Sequence, residues 1–294
     1  MTPVAVIDIG TNTTRLLVAE VKGGKVVELD RRTTITRLGQ GVDATGRLAD
    51  EAMDRVAKAI AEYRKVIDEL GAEPVVAVAT SAMRDSENGP DFHDRLQERY
   101  GVDARTISGD EEARLTFLGT TAGRRADRDL VVIDIGGGST EYVLGKAGED
   151  PSFHTSTQMG SVRFTERFLE GDPPGEEELQ QLAEAVRQTV PDVTAEHAIA
   201  VAGTATSLAA IDGAGADEVH GYRLSLDSCG RIAAMLAGKT VEERRDVPGL
   251  HPDRAPTIVA GALILTESIR SLGLSEVEVS DRDILHGAAL ATGC

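Results

Sequence analysis

The sequence has few aromatic residues and fewer basic than acidic side chains. Phe, Trp and Tyr make up 3% of the 294 residues, and tryptophan is absent. Stacking on nucleic-acid bases is therefore not an evident binding mode. The 31 lysines and arginines are outnumbered by 49 aspartates and glutamates, which gives a net charge of −18. Because this charge repels polyanions, we expect neither nucleic acid nor an anionic membrane as a partner.

Cysteine and long apolar runs are also scarce. The two cysteines, Cys229 and Cys294, are too few and too far apart in sequence for a disulfide framework or a zinc site. No apolar run approaches the roughly 18 residues of a membrane span, and residues 1–4 contain no basic leader. These features predict a cytoplasmic protein. Its 41% hydrophobic and 27% charged residues are typical of globular domains, and its length allows two.

A glycine-rich turn occurs twice, each time after a run of β-branched residues. Residues 8–15 read DIGTNTTR, and residues 134–141 read DIGGGSTE. Apolar residues follow both segments, which predicts the tight turn of a β-hairpin in each case. Such turns bind phosphate, because backbone N–H groups converge, glycine lets the chain approach an anion, and hydroxyl side chains add donors.

The two turns mark an internal duplication. Short strands follow each turn, then a glycine-containing segment at 38–41 or 159–162, and later a Ser/Thr segment at 78–81 or 202–206. Apolar spacing predicts helices from Met53 to Leu70, from Glu176 to about Val190, and from about Ile284 to Ala291. Three hairpin-linked strands followed by helix, strand and helix describe a ribonuclease-H-like unit, on which actin-type folds are built.

The predicted fold is therefore α/β, with two ribonuclease-H-like domains of the actin-like ATPase superfamily and a cleft between them. We expect the domains to cover residues 1–124 and 125–294, because residues 122–129 are polar and charged directly before the second buried strand. The last helix is able to pack back onto the first domain.

Two adjacent glutamates open a predicted helix after Ser108. Ser108 and Glu111 match a capping box, which gives Glu111 a structural task. Glu112 points about 100° further around the helix and is the best candidate for a general base that activates water. From this segment alone, an acid that merely stabilises the helix N-terminus is the simpler interpretation.

Asp8 and Asp134 each end a predicted buried strand, where a carboxylate is costly without a ligand. Metal coordination explains both. Magnesium prefers one or two carboxylates together with phosphate oxygens and water, and Asp134 with Glu141 supplies such a set. The expected cofactor is Mg²⁺, with Mn²⁺ as an alternative. One Asp-x-Gly is weak evidence, whereas two at equivalent places are strong.

Arg15 and Arg84 are candidates for binding phosphate oxygens as charge develops in an in-line transfer. A surface salt bridge explains Arg84 equally well. The arginines at 31, 32 and 37 and at 124, 125 and 128 either line an approach path or are solvated surface charge. His93 and Asp94 lack partner histidines, so we do not expect a metal there.

The remaining phosphate-binding candidates lie in the glycine-containing turns: Asn12, Thr13, Gly137, Gly138, Ser139, Gly203 and Thr204.

Taken in order, these segments resemble the exopolyphosphatase/guanosine pentaphosphate phosphohydrolase (Ppx/GppA) family over nearly the whole chain. The resemblance is carried by residues 8–15, 79–88, 108–114, 134–141, 159–163 and 203–206. It implies two actin-like lobes, a homodimer and magnesium-dependent release of terminal phosphate from inorganic polyphosphate. It also implies that Glu112 is the catalytic glutamate and that Asp134 and Glu141 hold the metal. The phosphate contacts it implies are Asn12, Arg15, Arg84, Gly137, Gly138 and Ser139.

The sequence departs from the family pattern in two places. Longer members continue into C-terminal helical domains, whereas this sequence ends at Cys294, which favours short polyphosphates as substrates. Residues 281–287 stand where many relatives carry a Leu-Arg-Glu-Gly turn, and we assign them no role.

Two alternatives stay open. One is hydrolysis of the 5′-terminal phosphate of guanosine pentaphosphate (pppGpp) by the same site. The other, of a different class, is an actin-like nucleotide-binding protein without hydrolytic activity, or a sugar kinase. The Glu112 segment and the Asn-Thr-Thr-Arg ending of the first turn favour a phosphatase.

Overall fold

The computed structural model describes residues 2–126, 128–215 and 218–292, so Cys294 lies outside the described residues. The chain divides into two compact units. The first comprises Met1–Arg125 with Asp283–Cys294, and the second comprises Ala126–Arg282. The last helix is thus grouped with the amino-terminal residues. None of the helices in the described ranges has the length and apolar character that crossing a membrane requires.

The first unit is built on a five-stranded sheet, as far as its described residues go. Its strands are β1 (Val4–Ile9), β2 (Thr13–Lys22), β3 (Lys25–Ile35), β4 (Val75–Ala79) and β5 (Ala104–Thr106). The strand order is β3-β2-β1-β4-β5. Two successive hairpins make β1, β2 and β3 antiparallel, whereas β4 runs parallel to β1 and β5 parallel to β4.

Helices cover both faces of this sheet. They are α1 (Val42–Thr45), α2 (Asp50–Leu70), α3 (Ser81–Arg84), α4 (Gly89–Tyr100), α5 (Gly109–Thr121) and, from the end of the chain, α12 (Ile284–Thr292). On one face, Ile60 of α2 and Leu96 of α4 belong to the core formed with β1 and β2. On the other, Leu285 and Ala288 of α12 pack with Val6 and Leu17. The helix predicted to end at Gly71 is confirmed as α2, with Gly71 in the left-handed conformation at φ 60°.

Two glycines bring α5 and α12 into backbone contact. A Cβ atom at Gly119 of α5 would overlap the carbonyl oxygen of Asp283, and one at Gly287 of α12 would overlap the carbonyl oxygen of Leu115. Only glycine at both positions permits this approach. The position of α5 in the first unit is thus set by the last described segment of the chain.

The second unit repeats the plan and extends it. Its strands are β6 (Leu130–Ile135), β7 (Thr140–Gly145), β8 (Phe153–Thr157), β9 (His197–Val201), β10 (Tyr222–Ser225) and β11 (Glu276–Val279). Its helices are α6 (Ser161–Phe168), α7 (Glu176–Thr189), α8 (Ala202–Asp212), α9 (Leu226–Ala237), α10 (Val241–Arg245) and α11 (Ile258–Ser271), with a 3₁₀ turn at Pro252–Arg254. The strand order is β10-β11-β9-β6-β7-β8, with β6, β7 and β8 antiparallel and β9 parallel to β6.

Both units therefore place a three-stranded meander beside a parallel strand in the same order. The α/β fold with two ribonuclease-H-like domains, predicted from the duplicated turns, is confirmed. The second unit adds β11 parallel to β9 and an antiparallel edge strand, β10. The cleft expected between the domains stays a prediction.

The glycine contact between α5 and α12 predicts how stability responds to substitution. Gly287→Ala places a methyl group against the backbone of Leu115, so we expect the free energy of unfolding to fall by about 2 kcal/mol. Gly230→Ala is the matched control, because a Cβ at this position in α9 meets nothing within 4 Å and alanine is the better helix former, with an expected gain of about 1 kcal/mol. Urea denaturation followed by circular dichroism measures both. Equal stability of the two variants would contradict the contact.

Candidate active site

The first glycine-rich turn is confirmed as the hairpin loop between β1 and β2. Gly10 N–H donates to the carbonyl of Thr13 at 2.9 Å and closes the turn. Residues 36–39, after β3, hold the loop from behind: Gly39 N–H donates to the carbonyl of Thr11 at 2.8 Å, and two further amides donate to the carbonyl of Asn12. The loop carbonyls are thereby bound within the protein, which fixes the shape of the turn. Thr13 lies in β2, partly buried.

The second turn, between β6 and β7, is confirmed and is held in the same way. Gly136 N–H donates to the carbonyl of Ser139 at 3.0 Å, and Val162 N–H donates to the carbonyl of Gly137 at 2.8 Å. Gly160 lies directly behind the loop, where a Cβ would overlap the backbone of Gly137 and Gly138. Glycine at position 160 is therefore required for the close approach of two backbone segments.

The residue opposite the strand-end aspartate differs between the hairpins. Asp8 pairs in register with Arg15, whereas Asp134 pairs with Glu141. Side chains directly opposite on neighbouring antiparallel strands lie close together on one face. The first hairpin therefore has an ion pair at this position, and the second has two carboxylates.

Arg15 is bound by two carboxylates. Its Nε and Nη2 donate to Asp8 Oδ2 at 3.0 and 2.6 Å, and its Nη1 donates to Asp283. The second oxygen of Asp8, Oδ1, is buried and has no hydrogen-bond partner among the described residues. Arg15 and Asp8 were predicted from the sequence, whereas Asp283 carries no local signal of a role and was not.

The two aspartates that share Arg15 differ in acidity. Burial raises the pKa of Asp8, and the attraction of Arg15 only partly offsets it. Burial acts on Asp283 in the same sense, but Arg15, Arg31 and His286 outweigh it, so the pKa of Asp283 lies below its ordinary value. Asp283 is thus the more firmly ionised partner of Arg15.

The acids of the second hairpin are a candidate metal site. Asp134 and Glu141 are both buried, and Glu141 Oε1 accepts a hydrogen bond from Ser156 Oγ at 2.7 Å. Two carboxylates directly opposite one another repel, and a divalent cation compensates such a pair. In the described parts of the chain, no group of three or more His, Cys, Asp or Glu side chains could hold a metal. A magnesium ion here would need water and phosphate oxygens to complete its shell, as magnesium commonly does.

Glu112 and Arg84 meet at the carboxyl ends of parallel strands. Arg84 ends α3, which follows β4, and Glu112 lies in the first turn of α5, which follows β5. Arg84 Nη1 donates to Glu112 Oε2 at 3.2 Å and to the carbonyl of Ile107 at 2.9 Å. Glu112 is 9% exposed, so its carboxylate is largely removed from water, whereas the Arg84 side chain is 23% exposed. Ligands bind preferentially at this edge of an α/β sheet.

Only one of the two hydrogen bonds of the predicted capping box forms at the neighbouring Glu111. Ser108 Oγ accepts a hydrogen bond from Glu111 N–H, which confirms the cap. The Glu111 carboxylate, however, binds Arg105 on β5 instead of reaching back to the helix start. The prediction of a reciprocal bond was wrong because a guanidinium six residues away offers a charge-assisted partner.

Gly203 and Thr204 lie in a helix, not in the turn that the sequence analysis expected. They belong to the first turn of α8, directly after β9. Ala202 at the junction has φ 65°, a left-handed conformation that is uncommon for alanine and marks local strain. The Arg254 guanidinium lies against Gly203 where a Cβ would be. Arg254 was not predicted, because it is distant in sequence and lies outside any glycine-rich segment.

Comparison with known proteins places this arrangement in a family. Residues 17–291 match the model of the Ppx/GppA phosphatase family. The chain belongs to the Ppx/GppA phosphatase family. It is therefore a hydrolase, and the kinase and the non-hydrolytic nucleotide-binding alternatives are set aside.

Individual Ppx/GppA relatives match over their full length. Exopolyphosphatase 2 of Mycobacterium tuberculosis is 38% identical over 316 aligned residues, which cover 99% of this chain and 98% of the relative. A solved exopolyphosphatase-like protein has a TM-score of 0.91 at 33% identity, with 99% of each chain covered. The Aquifex aeolicus member of the family has a TM-score of 0.84 at 31% identity, covering 99% of this chain and 97% of that one.

His93, considered above as a metal candidate, has two acidic partners. Its ring nitrogens bond Asp103 at 2.9 Å and Asp94 at 3.1 Å, and these bonds, Asp103 first, raise the pKa of His93. The ion pairs of protonated His93 stabilise the folded state. Their contribution is complete below the ordinary histidine pKa of about 6.5 and is lost as the pH rises through the higher pKa of the folded state.

We therefore expect His93→Asn to lower the melting temperature more at pH 5.5 than at pH 8.5. The effect is small because the side chain is 31% exposed. Scanning calorimetry at the two pH values measures it, and an equal difference at both would show that the ion pairs contribute nothing.

Proposed function

We propose that this Ppx/GppA protein is an exopolyphosphatase that releases terminal orthophosphate from inorganic polyphosphate. The observation that carries the proposal is the buried Glu112 carboxylate, held by Arg84 at the carboxyl ends of β4 and β5. Relatives named exopolyphosphatase support the choice of substrate. Short chains are the proposed substrates.

Glu112 acts as the general base. It accepts a proton from a water molecule that attacks the terminal phosphorus in line, and the bridging P–O bond breaks to leave a chain shorter by one phosphate. Arg84 orients the carboxylate by its hydrogen bond from Nη1. The remaining N–H groups of the Arg84 guanidinium are suited to the oxygens of the transferred phosphate.

The hairpin loops and the start of α8 bind the phosphates. The proposed donors are the backbone amides and side chains of the loops, with Arg15 as a fixed positive charge beside the first loop. The residues proposed to bind phosphate are Asn12, Thr13, Gly137, Gly138, Ser139, Gly203 and Thr204.

Asp134 and Glu141 hold Mg²⁺, or Mn²⁺ as an alternative. Within the first unit, Oδ1 of Asp8, which has no hydrogen-bond partner among the described residues, is an oxygen suited to a cation or its water. Bound magnesium would neutralise charge on phosphate oxygens. A homodimer and a cytoplasmic location stay predictions.

The second candidate substrate is pppGpp. The family description covers both Ppx and GppA. Removal of the 5′-terminal phosphate of pppGpp requires the same attack of water on a phosphoric anhydride. Initial rates on tripolyphosphate, on long-chain polyphosphate and on pppGpp decide between them. A strong preference for the nucleotide would overturn the proposed substrate.

Replacement of the base gives the main test of mechanism. Glu112→Gln keeps the size of the side chain and removes the proton acceptor, so we expect kcat on tripolyphosphate to fall at least 100-fold with little change in tripolyphosphate binding. Glu111→Gln is the matched control. Glu111 is adjacent to Glu112 in sequence but pairs with Arg105 on the surface, so we expect kcat within about twofold of the wild type. Phosphate release and calorimetric binding measure the two effects. Full turnover by Glu112→Gln would place the base elsewhere.

The metal proposal is tested separately. Asp134→Asn removes one of the two facing carboxylates, so we expect the magnesium concentration for half-maximal activity to rise about 10- to 100-fold. The exposed Asp192 of the same unit provides the control Asp192→Asn. Magnesium titration by calorimetry gives a reading that does not depend on turnover. An unchanged magnesium affinity would exclude Asp134 as a ligand.

A further inference from the structure

Asp283 contacts three parts of the first unit. One carboxylate oxygen, Oδ2, accepts from Arg15 of the first hairpin, and the other, Oδ1, accepts from Leu285 N–H at 3.1 Å. Its backbone carbonyl accepts from Gly287 N–H at 3.1 Å and lies against Gly119 of α5. The side chain is only 3% exposed. Asp283 thus joins the phosphate hairpin, the start of α12 and the middle of α5.

The α5 face that contacts Asp283 is also the face that carries the base. Gly119 follows Glu112 by seven residues, or about two helical turns, so the two lie on the same side of the helix. Leu115, between them, meets Gly287 through its backbone carbonyl. A continuous set of contacts therefore runs from Arg84 through Glu112 and α5 to Asp283, and from there to Arg15.

We propose that Asp283 is a positioning residue, which fixes the Arg15 guanidinium in the phosphate hairpin relative to the helix that bears Glu112. This inference rests on the proposed function for its kinetic consequence, while the fixation itself is a property of the protein alone. Nothing in the sequence of residues 281–287 marks this role.

The charges explain why a carboxylate is needed at position 283. Asp8 reaches Nε and Nη2 of Arg15 through a single oxygen, which leaves Nη1 to Asp283. The bonds to Asp8 converge on that one oxygen and hold one edge of the guanidinium, and the bond to Asp283 holds another edge. The three side chains together carry a net charge of −1, so removing the charge of Asp283 does not weaken attraction for a polyanion.

Asp283→Asn tests the role with little structural change. Asparagine is about as good as aspartate at a helix N-cap, so the hydrogen bond to Leu285 N–H is retained while the charge is lost. Asp281→Asn is the matched control. Asp281 lies two residues earlier, is partly exposed, and pairs with His220 in the second unit.

Two measurements are made on both variants. The first is the ¹⁵N–¹H signal of the Arg15 Nε group, assigned with Arg15→Lys. We expect it to shift and broaden in Asp283→Asn and to stay unchanged in Asp281→Asn. The second is turnover of tripolyphosphate, where we expect kcat to fall about tenfold in Asp283→Asn with KM unchanged or lower, and both constants to stay within about twofold in the control.

A double-mutant cycle separates positioning from a general structural effect. If Asp283 acts through Arg15, Asp283→Asn lowers kcat further by less than twofold in the Arg15→Gln background. A full tenfold loss in that background overturns the proposal, as does an unchanged Arg15 signal in Asp283→Asn. If the wild type releases no phosphate from tripolyphosphate or long-chain polyphosphate, the proposed function fails, and the Arg15 signal alone decides whether Asp283 fixes the guanidinium.

Discussion

A carboxylate at the end of a buried strand has to be compensated, and each unit meets this requirement differently. Asp8 faces Arg15 across the first hairpin, whereas Asp134 faces Glu141 across the second. The duplicated framework therefore offers one loop beside a fixed arginine and one beside two acids that favour a cation. Under the proposed function both kinds of charge have a use, because phosphate oxygens need positive partners and a bound metal would need negative ones. The two units thus differ in charge at the position opposite the strand-end aspartate.

Local patterns in the sequence were sufficient for the framework. The hairpin turns could be predicted because β-branched strands, glycines and hydroxyl residues stand in a fixed order, and α2 because its apolar residues follow one helical face up to a left-handed glycine. Glu112 was selected because a capping box was expected to occupy Glu111. The Ser108 half of that box is present, whereas the Glu111 carboxylate binds Arg105 instead.

Contacts between distant residues could not be predicted in this way. Asp283 meets Arg15 across 268 residues of sequence, and Arg254 lies against Gly203 without any shared pattern. The start of α8 was taken for a turn because Gly-Thr after a strand is typical of loops. Ala202 has a left-handed backbone conformation, which lets the helix begin directly after the strand, and an alanine in the sequence does not indicate this conformation. Each of these features arises from tertiary packing, which single-sequence patterns do not encode.

The packing of α12 into the first unit also orders the events of synthesis. Residues 2–121 leave the ribosome long before residues 284–292, and Leu285 and Ala288 pack on the apolar surface that Val6 and Leu17 form. This part of the apolar cluster is therefore completed only after residues 126–282 have been made. Such long-range closure slows folding and leaves apolar surface available for aggregation.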